Sequence, residues 1–397
     1  MEELAIFGGK PVREKKIFYG RQCIEQDDVD AVVATLTGDL ITCGPKVQAA
    51  EKLLCEVTGA KYAVLVSNGT AALHLAAMAA GFGPGDEVIV SSITFAASAN
   101  CIRYCGATPV FADIEDDTYN IDPESIKRLI TPRTKGIVAV DFTGQAVKLD
   151  EIRKICKDHG LLLIEDAAHA IGTKYKGQPV GSIADMTCFS FHPVKTVTCG
   201  EGGAITTNNE RLYRHLMRLR THGITRNHSE MAHPTDALWY NEQVELGFNY
   251  RLTDFQAALL ISQLGKLSRF SQKRKEIAAK YDAAFSQMPE LQVQKEIPES
   301  DTTRHLYILR LNLDKLNCDR RQFFDALYAE NTCPQVHYLP VYWHSYYEKL
   351  GYEKGICMNA EAFYMSSMSI PLYPTLTDEE TDDVIRAVKK IVAYYRK

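Results

Sequence analysis

The 397-residue sequence lacks an excess of positive charge, because 50 aspartates and glutamates outnumber its 45 lysines and arginines. The formal net charge of −5 at pH 7 leaves no strongly basic surface for a phosphate backbone. Nucleic acid is therefore not an expected partner.

Long apolar runs are also missing. No stretch approaches the roughly 18–20 apolar residues that cross a bilayer, and the best run, residues 71–81, contains His74. The first residues, MEELAIFGGKPV, have neither the basic nor the apolar region of a secretory signal peptide. These absences predict a cytoplasmic protein with no membrane partner.

Paired cysteine spacings are absent as well. The 11 cysteines are spread from Cys23 to Cys357 without a C-x-x-C motif. Cys101 and Cys105 lie four apart, but no second Cys or His pair follows at zinc-finger distance. We therefore expect reduced thiols and no metal site.

What the sequence does contain is an alternation of short apolar runs and longer helical segments between about residues 60 and 209. The runs that predict strands are residues 62–67, 87–92, 108–114, 136–142, 161–168 and 186–191. Such continuous apolar character is typical of strands buried on both faces of a parallel sheet. Intervening segments such as 70–82 and 149–160 predict helices. The pattern predicts an α/β fold with a large, doubly wound, mainly parallel sheet.

The pattern changes after residue 209. The segments that predict helices are residues 211–223, 252–285 (one or two helices) and 377–397, and those that predict strands are residues 305–313 and 335–342. We therefore predict a large α/β domain over residues 1–260 and a smaller C-terminal α+β domain over residues 261–397.

The first motif with chemical meaning is SNGTAAL at residues 67–73, where a strand runs into a helix. Gly69 permits a close backbone approach, and the free N–H groups of the first helical turn can bind an anion that the Thr70 hydroxyl also reaches. An ordinary Ser or Asn cap before a buried helix explains this motif equally well.

The second motif is IEDAAH at residues 164–169, where Asp166 ends an apolar strand. A carboxylate held at the edge of the sheet is costly unless it meets a cation or several donors. Alternatively, it is a helix N-cap. Glu165 is expected to point the other way and to be structural.

The third motif is FSFHPVKTVTCGEGGAITTNN at residues 189–209. Its small residues suggest a backbone packed against a ligand, and a desolvated Lys195 would have a lowered pKa and act as a nucleophile. A structural loop lysine remains the alternative for this motif alone.

Together the three motifs match what pyridoxal phosphate requires. A helix start binds the phosphate, a carboxylate pairs with the protonated ring nitrogen, and a lysine forms a Schiff base with the aldehyde.

Five segments carry a resemblance to a known family. SNGTAAL, ITFAASAN (93–100), IEDAAHA, FSFHPVKTVTCGEGG and GFNYRLTDFQAA (247–258) resemble the fold-type I, pyridoxal-phosphate-dependent sugar aminotransferases of the DegT/DnrJ/EryC1/StrS family. The resemblance runs from about residue 18 to the C-terminus. Relatives with histidine in place of the lysine act as dehydratases, so the presence of Lys195 favours transamination.

The resemblance implies roles for individual residues around the cofactor. Lys195 would form the Schiff base and then move the proton between the donor and the cofactor. Asp166 would pair with the pyridinium nitrogen, Phe95 would stack on the ring, and His169 would lie near the other ring face or the 3-hydroxyl.

The phosphate would lie against Gly69, Thr70 and Ser190. Asn249 would reach the phosphate of the neighbouring subunit's cofactor, which implies a homodimer with shared active sites.

The resemblance also implies the substrates. An amino donor, L-glutamate, would supply the amino group to C4 of a UDP-linked 4-keto-6-deoxy-N-acetylhexosamine. The loop ITCGP (41–45), with Gly44, resembles the substrate loop of the family. Further nucleotide-sugar candidates, each equally explained by packing or surface roles, are Tyr250, Arg251, His305, His337 and Tyr338.

Three alternatives stay open at this point. A sibling enzyme could act on a GDP-4-keto-6-deoxy sugar or on UDP-4-keto-arabinose. A non-catalytic, pyridoxal-phosphate-binding regulator would usually carry a DNA-binding module, and no basic helix-turn-helix segment is present. A nicotinamide-binding enzyme would need a G-x-G-x-x-G turn, which SNGTAAL does not supply.

Overall fold

The structure is a computed structural model that describes residues 2–397. The strands are β1 (Ile17–Phe18), β2 (Tyr62–Val66), β3 (Glu87–Ser91), β4 (Thr108–Ala112), β5 (Thr134–Val140), β6 (Leu162–Asp166), β7 (Lys174–Tyr175), β8 (Gln178–Pro179), β9 (Met186–Ser190), β10 (Gly203–Thr207), β11 (Ile224–Thr225), β12 (Glu242–Gln243), β13 (Leu291–Val293), β14 (Ser300–Asp301), β15 (Tyr307–Leu311), β16 (Thr332–Cys333) and β17 (Ser367–Ile370). The helices are α1 (Gln26–Leu36), α2 (Pro45–Thr58), α3 (Gly69–Ala79), α4 (Ala97–Tyr104), α5 (Pro123–Leu129), α6 (Leu149–His159), α7 (Glu210–Leu219), α8 (Asp254–Leu264), α9 (Leu267–Phe285), α10 (Arg320–Ala329), α11 (Ser345–Glu348), α12 (Met358–Ser366) and α13 (Asp378–Tyr395).

The central sheet has seven strands in the order β2-β10-β9-β6-β5-β3-β4. β10 is antiparallel to both of its neighbours, whereas the pairs β9-β6, β6-β5, β5-β3 and β3-β4 are parallel. The predicted fold class, a large and mainly parallel sheet with a smaller α+β region after it, is confirmed. The direction in which successive strands are added to the sheet reverses along the chain. Because β9, β6 and β5 are adjacent and parallel, their carboxyl ends border one crevice.

Alternating side chains on the strands are buried on both faces of this sheet. Val138 and Ile164 pack with α3 and α4 on one face, and Ile137 and Leu163 pack with α6 on the other. Because neither face meets water, the strands are apolar throughout, which is why they could be read from the sequence.

Local signals fix the helices that border the crevice. The Asn68 side chain caps α3 by accepting a hydrogen bond from the N–H of Ala71 at 2.8 Å. Gly160 ends α6 with a left-handed φ of 67°, as expected for a residue at that position. Residues 252–285 form two helices, and the first begins at a capping box between Thr253 and Gln256.

The predicted strand over residues 335–342 is wrong. The segment makes a single bridge between Gln335 and Ser369, and a short 3₁₀ turn covers Val341–Trp343. Val341 and Tyr342 pack in the core that contains α3 and α4, and His337 and Tyr338 line the cavity, so the segment is held by burial and not by pairing in a sheet. β10 was not predicted, since its sequence, GAITT, follows a glycine-rich turn without an apolar run.

A separate core forms in the C-terminal region from the sheet β13-β15-β17 and the helices α9, α10 and α13. Leu4 and Ile17 from the N-terminal segment also pack in this core. The division between residues 260 and 261 remains a prediction. No helix within residues 2–397 combines the length and apolarity that a bilayer crossing requires.

Candidate active site

A cavity of about 690 Å³ opens at the carboxyl ends of the parallel strands. The predicted cofactor residues that line it are Gly69, Thr70, Phe95, Asp166, His169, Ser190 and Lys195. These side chains come from segments separated by up to about 125 residues of sequence, and the sheet order brings them to one edge.

Asp166 is the last residue of β6 and is 5% exposed. Its Oδ2 atom accepts a 2.6 Å hydrogen bond from the Ser98 hydroxyl, and Oδ1 accepts from the N–H of Ala168 at 3.1 Å. Burial raises the pKa of Asp166, whereas these two donors and the Lys195 ammonium lower it. The carboxylate is therefore held in a fixed orientation with lone pairs left for a cationic partner.

Lys195 lies in the turn after β9, and its backbone N–H donates to the backbone carbonyl of His192 at 2.9 Å. Burial lowers the pKa of the Lys195 ammonium to about 8, and the nearby Asp166 carboxylate opposes that shift. A substantial fraction of the side chain is therefore an uncharged amine at slightly alkaline pH, which is the nucleophilic form.

The start of α3 is a candidate anion site. Asn68 accepts from the third N–H of this turn, so the N–H groups of Gly69 and Thr70 point out of the helix end. A Cβ atom on Gly69 would come within 2.9 Å of the Ser190 Cβ, so only glycine lets the backbone approach that side chain. The helix dipole and the hydroxyls of Thr70 and Ser190 suit a phosphate group.

Two aromatic side chains shape the upper part of the cavity. Phe95 is 62% exposed on the cavity wall, and its ring centroid is 6.1 Å from that of Tyr338. Such an exposed ring at the mouth of a cavity provides a flat surface for a bound heteroaromatic ring.

His169 is buried beneath these rings. Its Nε2 atom lies 3.4 Å from the Tyr338 hydroxyl, and its Nδ1 atom is buried without a hydrogen-bond partner among residues 2–397. Burial and the neighbouring Lys195 ammonium lower the pKa of His169, so the imidazole is neutral. An unpartnered ring nitrogen at the cavity wall is a position that a bound polar group can satisfy.

These groups fit pyridoxal phosphate. The site has an anion cradle that a Cβ would fill, a fixed carboxylate, an amine of lowered pKa and an unsatisfied imidazole nitrogen. Each matches one functional group of that cofactor.

Some of the predicted substrate residues line the cavity and others do not. Tyr250, His337 and Tyr338 line the cavity. The Tyr250 hydroxyl lies 3.2 Å from Nδ1 of His74. His337 Nδ1 lies 2.7 Å from the Ser369 hydroxyl, and burial lowers the pKa of His337 to about 3.

The other predicted residues lie outside the cavity lining. His305 is buried behind His169, with the two ring centroids 4.4 Å apart. Gly44 lies at the start of α2, and its backbone N–H donates to the carboxylate of Asp254, the first residue of α8. Asn249 is exposed and Arg251 half-buried in the segment before α8.

The lining residues that were not predicted from the sequence include Tyr19, Tyr104 and Glu201. Tyr19 belongs to the N-terminal segment, and its ring meets that of His337 at 5.0 Å between centroids. Nothing in the sequence around Tyr19 marks it as part of the site. Glu201 lies within the glycine-rich motif, and that position is the sequence signal that could have assigned it to the site.

Comparisons with known proteins agree with this geometry. A sequence model described as "DegT/DnrJ/EryC1/StrS aminotransferase family" matches residues 22–389. The spore coat polysaccharide biosynthesis protein SpsC of Bacillus subtilis (strain 168) is 42% identical over 94% of this chain and 96% of its own length. The UDP-4-amino-4,6-dideoxy-N-acetyl-beta-L-altrosamine transaminase of Campylobacter jejuni (strain 81-176) is 40% identical over 90% of this chain and 92% of its own length.

Solved structures are similar over nearly the whole chain. Helicobacter pylori PseC, an aminotransferase involved in the biosynthesis of pseudoaminic acid, superposes with a TM-score of 0.89 at 32% identity, covering 96% of this chain and 100% of that one. The sugar aminotransferase Spr1654 of Streptococcus pneumoniae in its PLP form has a TM-score of 0.88 at 31% identity, covering 96% and 99%.

Proposed function

This chain belongs to the DegT/DnrJ/EryC1/StrS aminotransferase family, and we propose that it transfers the amino group of L-glutamate to C4 of a UDP-linked 4-keto-6-deoxy-N-acetylhexosamine. The product would be a UDP-4-amino-4,6-dideoxy sugar. That the protein is a pyridoxal-phosphate-dependent sugar aminotransferase follows from the family and its solved members. The proposal concerns the identity of its two substrates.

The observation that carries the proposal is the 40% identity to the altrosamine transaminase over nine-tenths of the chain. Within the family, HPVK-x-x-x-x-GEGG (192–203) together with VHYLPVYWHSYYEKLGY (336–352) and SIPLYPTLTD (369–378) resembles that enzyme most. His337 and Tyr338 in the second of these segments line the cavity, so the similarity reaches the surface that meets the substrate. The reaction would be a step of pseudaminic acid biosynthesis.

Bound pyridoxal phosphate supplies a ring that withdraws electrons from the carbon that carries the amino group. The α3 start, Thr70 and Ser190 would hold its phosphate, and Asp166 would hold a proton on its ring nitrogen. Lys195 would hold the aldehyde carbon and, as a free amine, would carry the proton between Cα of the donor and that carbon. The lowered pKa of His169 makes its imidazole a poor base, which leaves Lys195 as the proton carrier at this point.

The same residues serve both halves of the reaction. Glutamate would leave as 2-oxoglutarate, with water supplying the oxygen of its new keto group and its amino group retained for transfer to the sugar. The keto sugar then enters the same cavity, and Lys195 moves the proton in the reverse sense. One lysine with a pKa of about 8 can both accept and donate a proton near neutral pH.

We further propose that the enzyme is a cytoplasmic homodimer with shared active sites. Asn249 is exposed and does not line the cavity of its own chain, which agrees with a role in a neighbouring subunit's site. The same segment exposes Leu238 and Trp239 by 94% and 82%, and apolar side chains so exposed favour burial in an interface. The free cysteines suit a reducing compartment.

A labelled-donor assay tests the proposed substrates. Holoenzyme is mixed with glutamate that carries heavy nitrogen and with one keto sugar from a panel: the UDP-linked N-acetylated hexosulose, a GDP-4-keto-6-deoxy sugar or UDP-4-keto-arabinose. We expect the label in the UDP-4-amino-4,6-dideoxy product, measured by mass spectrometry.

Lys195→Ala provides the matched blank for the same assay. Label in only the GDP-linked or the arabinose product would replace the proposed sugar with that sibling substrate. The assay is repeated with other labelled amino acids. If one of them transfers its nitrogen to the sugar and labelled glutamate does not, the donor assignment is overturned while the sugar assignment stays intact.

A further inference from the structure

Two buried carboxyl groups face each other beside the active site. Glu165 precedes Asp166 on β6 and therefore points to the opposite side of the sheet. Asp141 directly follows β5, the neighbouring strand. Both side chains are fully buried, and neither has a role in the reaction described above.

One oxygen of each carboxyl group has an ordinary donor. Asp141 Oδ1 accepts from the N–H of Val147 at 3.0 Å, and Glu165 Oε2 accepts from the Thr187 hydroxyl at 2.7 Å. The other two oxygens, Asp141 Oδ2 and Glu165 Oε1, are buried and lack a donor among residues 2–397. Ala139 is the register partner of Glu165, and Asp141 lies two residues after Ala139, so the two carboxyl groups lie on the same face of the sheet at neighbouring strand ends. Each carboxyl group acts on the pKa of the other.

No cation neutralises this pair. Within the described part of the chain, no Lys, Arg or His forms a salt bridge with either carboxyl group. The titratable groups that act on the pair are Asp166 from β6 and Cys188 from β9, and burial keeps the Cys188 thiol neutral by raising its pKa. Burial likewise raises the pKa of Glu165, to about 7, and that of Asp141.

Two buried carboxylates in contact cannot both be ionised at low cost, because each would present an unpaired charge to the other. A single proton between Asp141 Oδ2 and Glu165 Oε1 satisfies both orphan oxygens, as in other carboxyl pairs that hold one proton.

We propose that Asp141 and Glu165 share one proton and that this proton clamps the carboxyl ends of β5 and β6, so that the pair positions Asp166 for the cofactor's ring nitrogen. The backbone of Asp141 is linked directly to that of Asp166. The N–H of Asp141 donates to the carbonyl of Asp166 at 3.1 Å, and Val140 is the register partner of Asp166. The proposal depends on the cofactor but not on which sugar is the substrate.

Loss of the shared proton would place two negative charges in contact and separate the two strand ends. Cofactor affinity of the wild type should therefore fall as the pH rises above neutral. Glu165→Gln replaces the shared proton with an amide N–H that cannot titrate, and Asp141→Asn does the same from the other side. Both variants should lack this fall, and the pH dependence that Lys195 contributes should be common to all three proteins.

Infrared spectroscopy of the apoprotein observes the proton directly. The wild type should show the C=O stretching band of a buried protonated carboxyl group at neutral pH. Glu165→Gln and Asp141→Asn should both lack it, because the remaining carboxyl group is ionised and accepts from the amide. Thr187→Val, which removes the other hydrogen bond to Glu165, should retain the band.

The pH dependence of unfolding provides an independent readout. The folded wild type binds one more proton than the unfolded chain above the ordinary carboxyl pKa of about 4 and up to the folded pKa of the pair. Its unfolding constant should therefore rise about tenfold more per pH unit than that of Glu165→Gln in this window. If Glu165→Gln does not fold, Asp141→Asn is used for the same comparison with the wild type.

Absence of the infrared band from the wild type, or equal pH slopes for the wild type and the two amide variants, would overturn the proposal. A band present in a protein that fails to aminate any keto sugar would leave the proposal standing and overturn the proposed function instead. Band and slope as expected, with the same pH dependence of cofactor affinity in the wild type and the two amide variants, would refute the positioning of Asp166.

Discussion

The hydroxyl of Ser98 donates a 2.6 Å hydrogen bond to Oδ2 of Asp166, across 68 residues of sequence. Ser98 lies in the first turn of α4, directly after the loop that carries Phe95. The helix that presents the stacking ring thus also orients the carboxylate on the sheet. The Thr94 hydroxyl lies 2.7 Å from that of Ser98 and extends the chain of hydroxyl groups.

Removing the Ser98 hydroxyl should weaken catalysis more than binding. Ser98→Ala deletes a hydrogen bond to an ionised group, of a kind worth about 1.5–3 kcal/mol, so the pKa of Asp166 should rise further. We expect the first half-reaction with glutamate to slow by about 10- to 100-fold, measured by stopped-flow absorbance. Thr94→Val, which leaves the Ser98–Asp166 bond intact, is the control, and an equal loss in both variants would contradict this role for Ser98.

The amine of Lys195 should control how the apoenzyme captures added cofactor. Because burial lowers the Lys195 pKa to about 8, the reactive free amine increases as the pH rises through that value. The rate of covalent capture should therefore rise with pH and level off above about 8, measured by the visible absorbance of the bound cofactor.

Asp166 offers the matched control for that profile. Its carboxylate opposes the lowering of the Lys195 pKa, so Asp166→Asn should move the midpoint to lower pH. A midpoint near the ordinary lysine value, or one that Asp166→Asn leaves in place, would refute this account.

Gly69 should be required for cofactor binding. A Cβ at this position would lie 2.9 Å from that of Ser190, so Gly69→Ala must displace the strand end or the helix start. Overpacking of this kind costs about 1–3 kcal/mol, so we expect the dissociation constant of the cofactor to rise about tenfold or more. Gly83→Ala, where the nearest atom is 4.0 Å away, should have no effect in the same titration. Unchanged affinity in Gly69→Ala would exclude the anion site at α3.

Mixing two inactive variants tests whether the active site is shared. In a mixed dimer of Lys195→Ala and Asn249→Ala, one of the two sites would contain its own Lys195 and the partner's intact Asn249. Random exchange of subunits should therefore restore about one quarter of wild-type activity. Light scattering establishes the oligomeric state, and failure to regain activity in a proven dimer would show that Asn249 acts within its own chain or not at all.

The sheet strands could be read from the sequence because burial on both faces leaves a continuous apolar run in each. The correspondence of six such runs with β2 to β6 and β9 follows from this simple rule. The rule failed at residues 335–342, where His337 and Tyr338 line a cavity and Val341 and Tyr342 pack in the core without pairing in a sheet. It also missed β10, which is held by its neighbours β2 and β9 and has little apolar character of its own.

Site residues that lie in local motifs were found, and those without a motif were not. Lys195, Asp166 and Gly69 stand in turns whose small or polar residues are unusual after apolar strands. Ser98 lies within ITFAASAN (93–100) but received no role from that motif, and Tyr19 has ordinary surroundings in the sequence, so only their final positions reveal their contacts.

The sequence by itself determined six of the seven central strands, the helix caps and the chemical type of each group at the strand ends, because apolar periodicity and capping depend on neighbours within a few residues. Tertiary structure alone decided which of these groups meet. The order of the seven strands places Asp141 against Glu165 and Ser98 against Asp166. Such contacts depend on chain topology and on the exclusion of water, and neither leaves a periodic trace in the sequence.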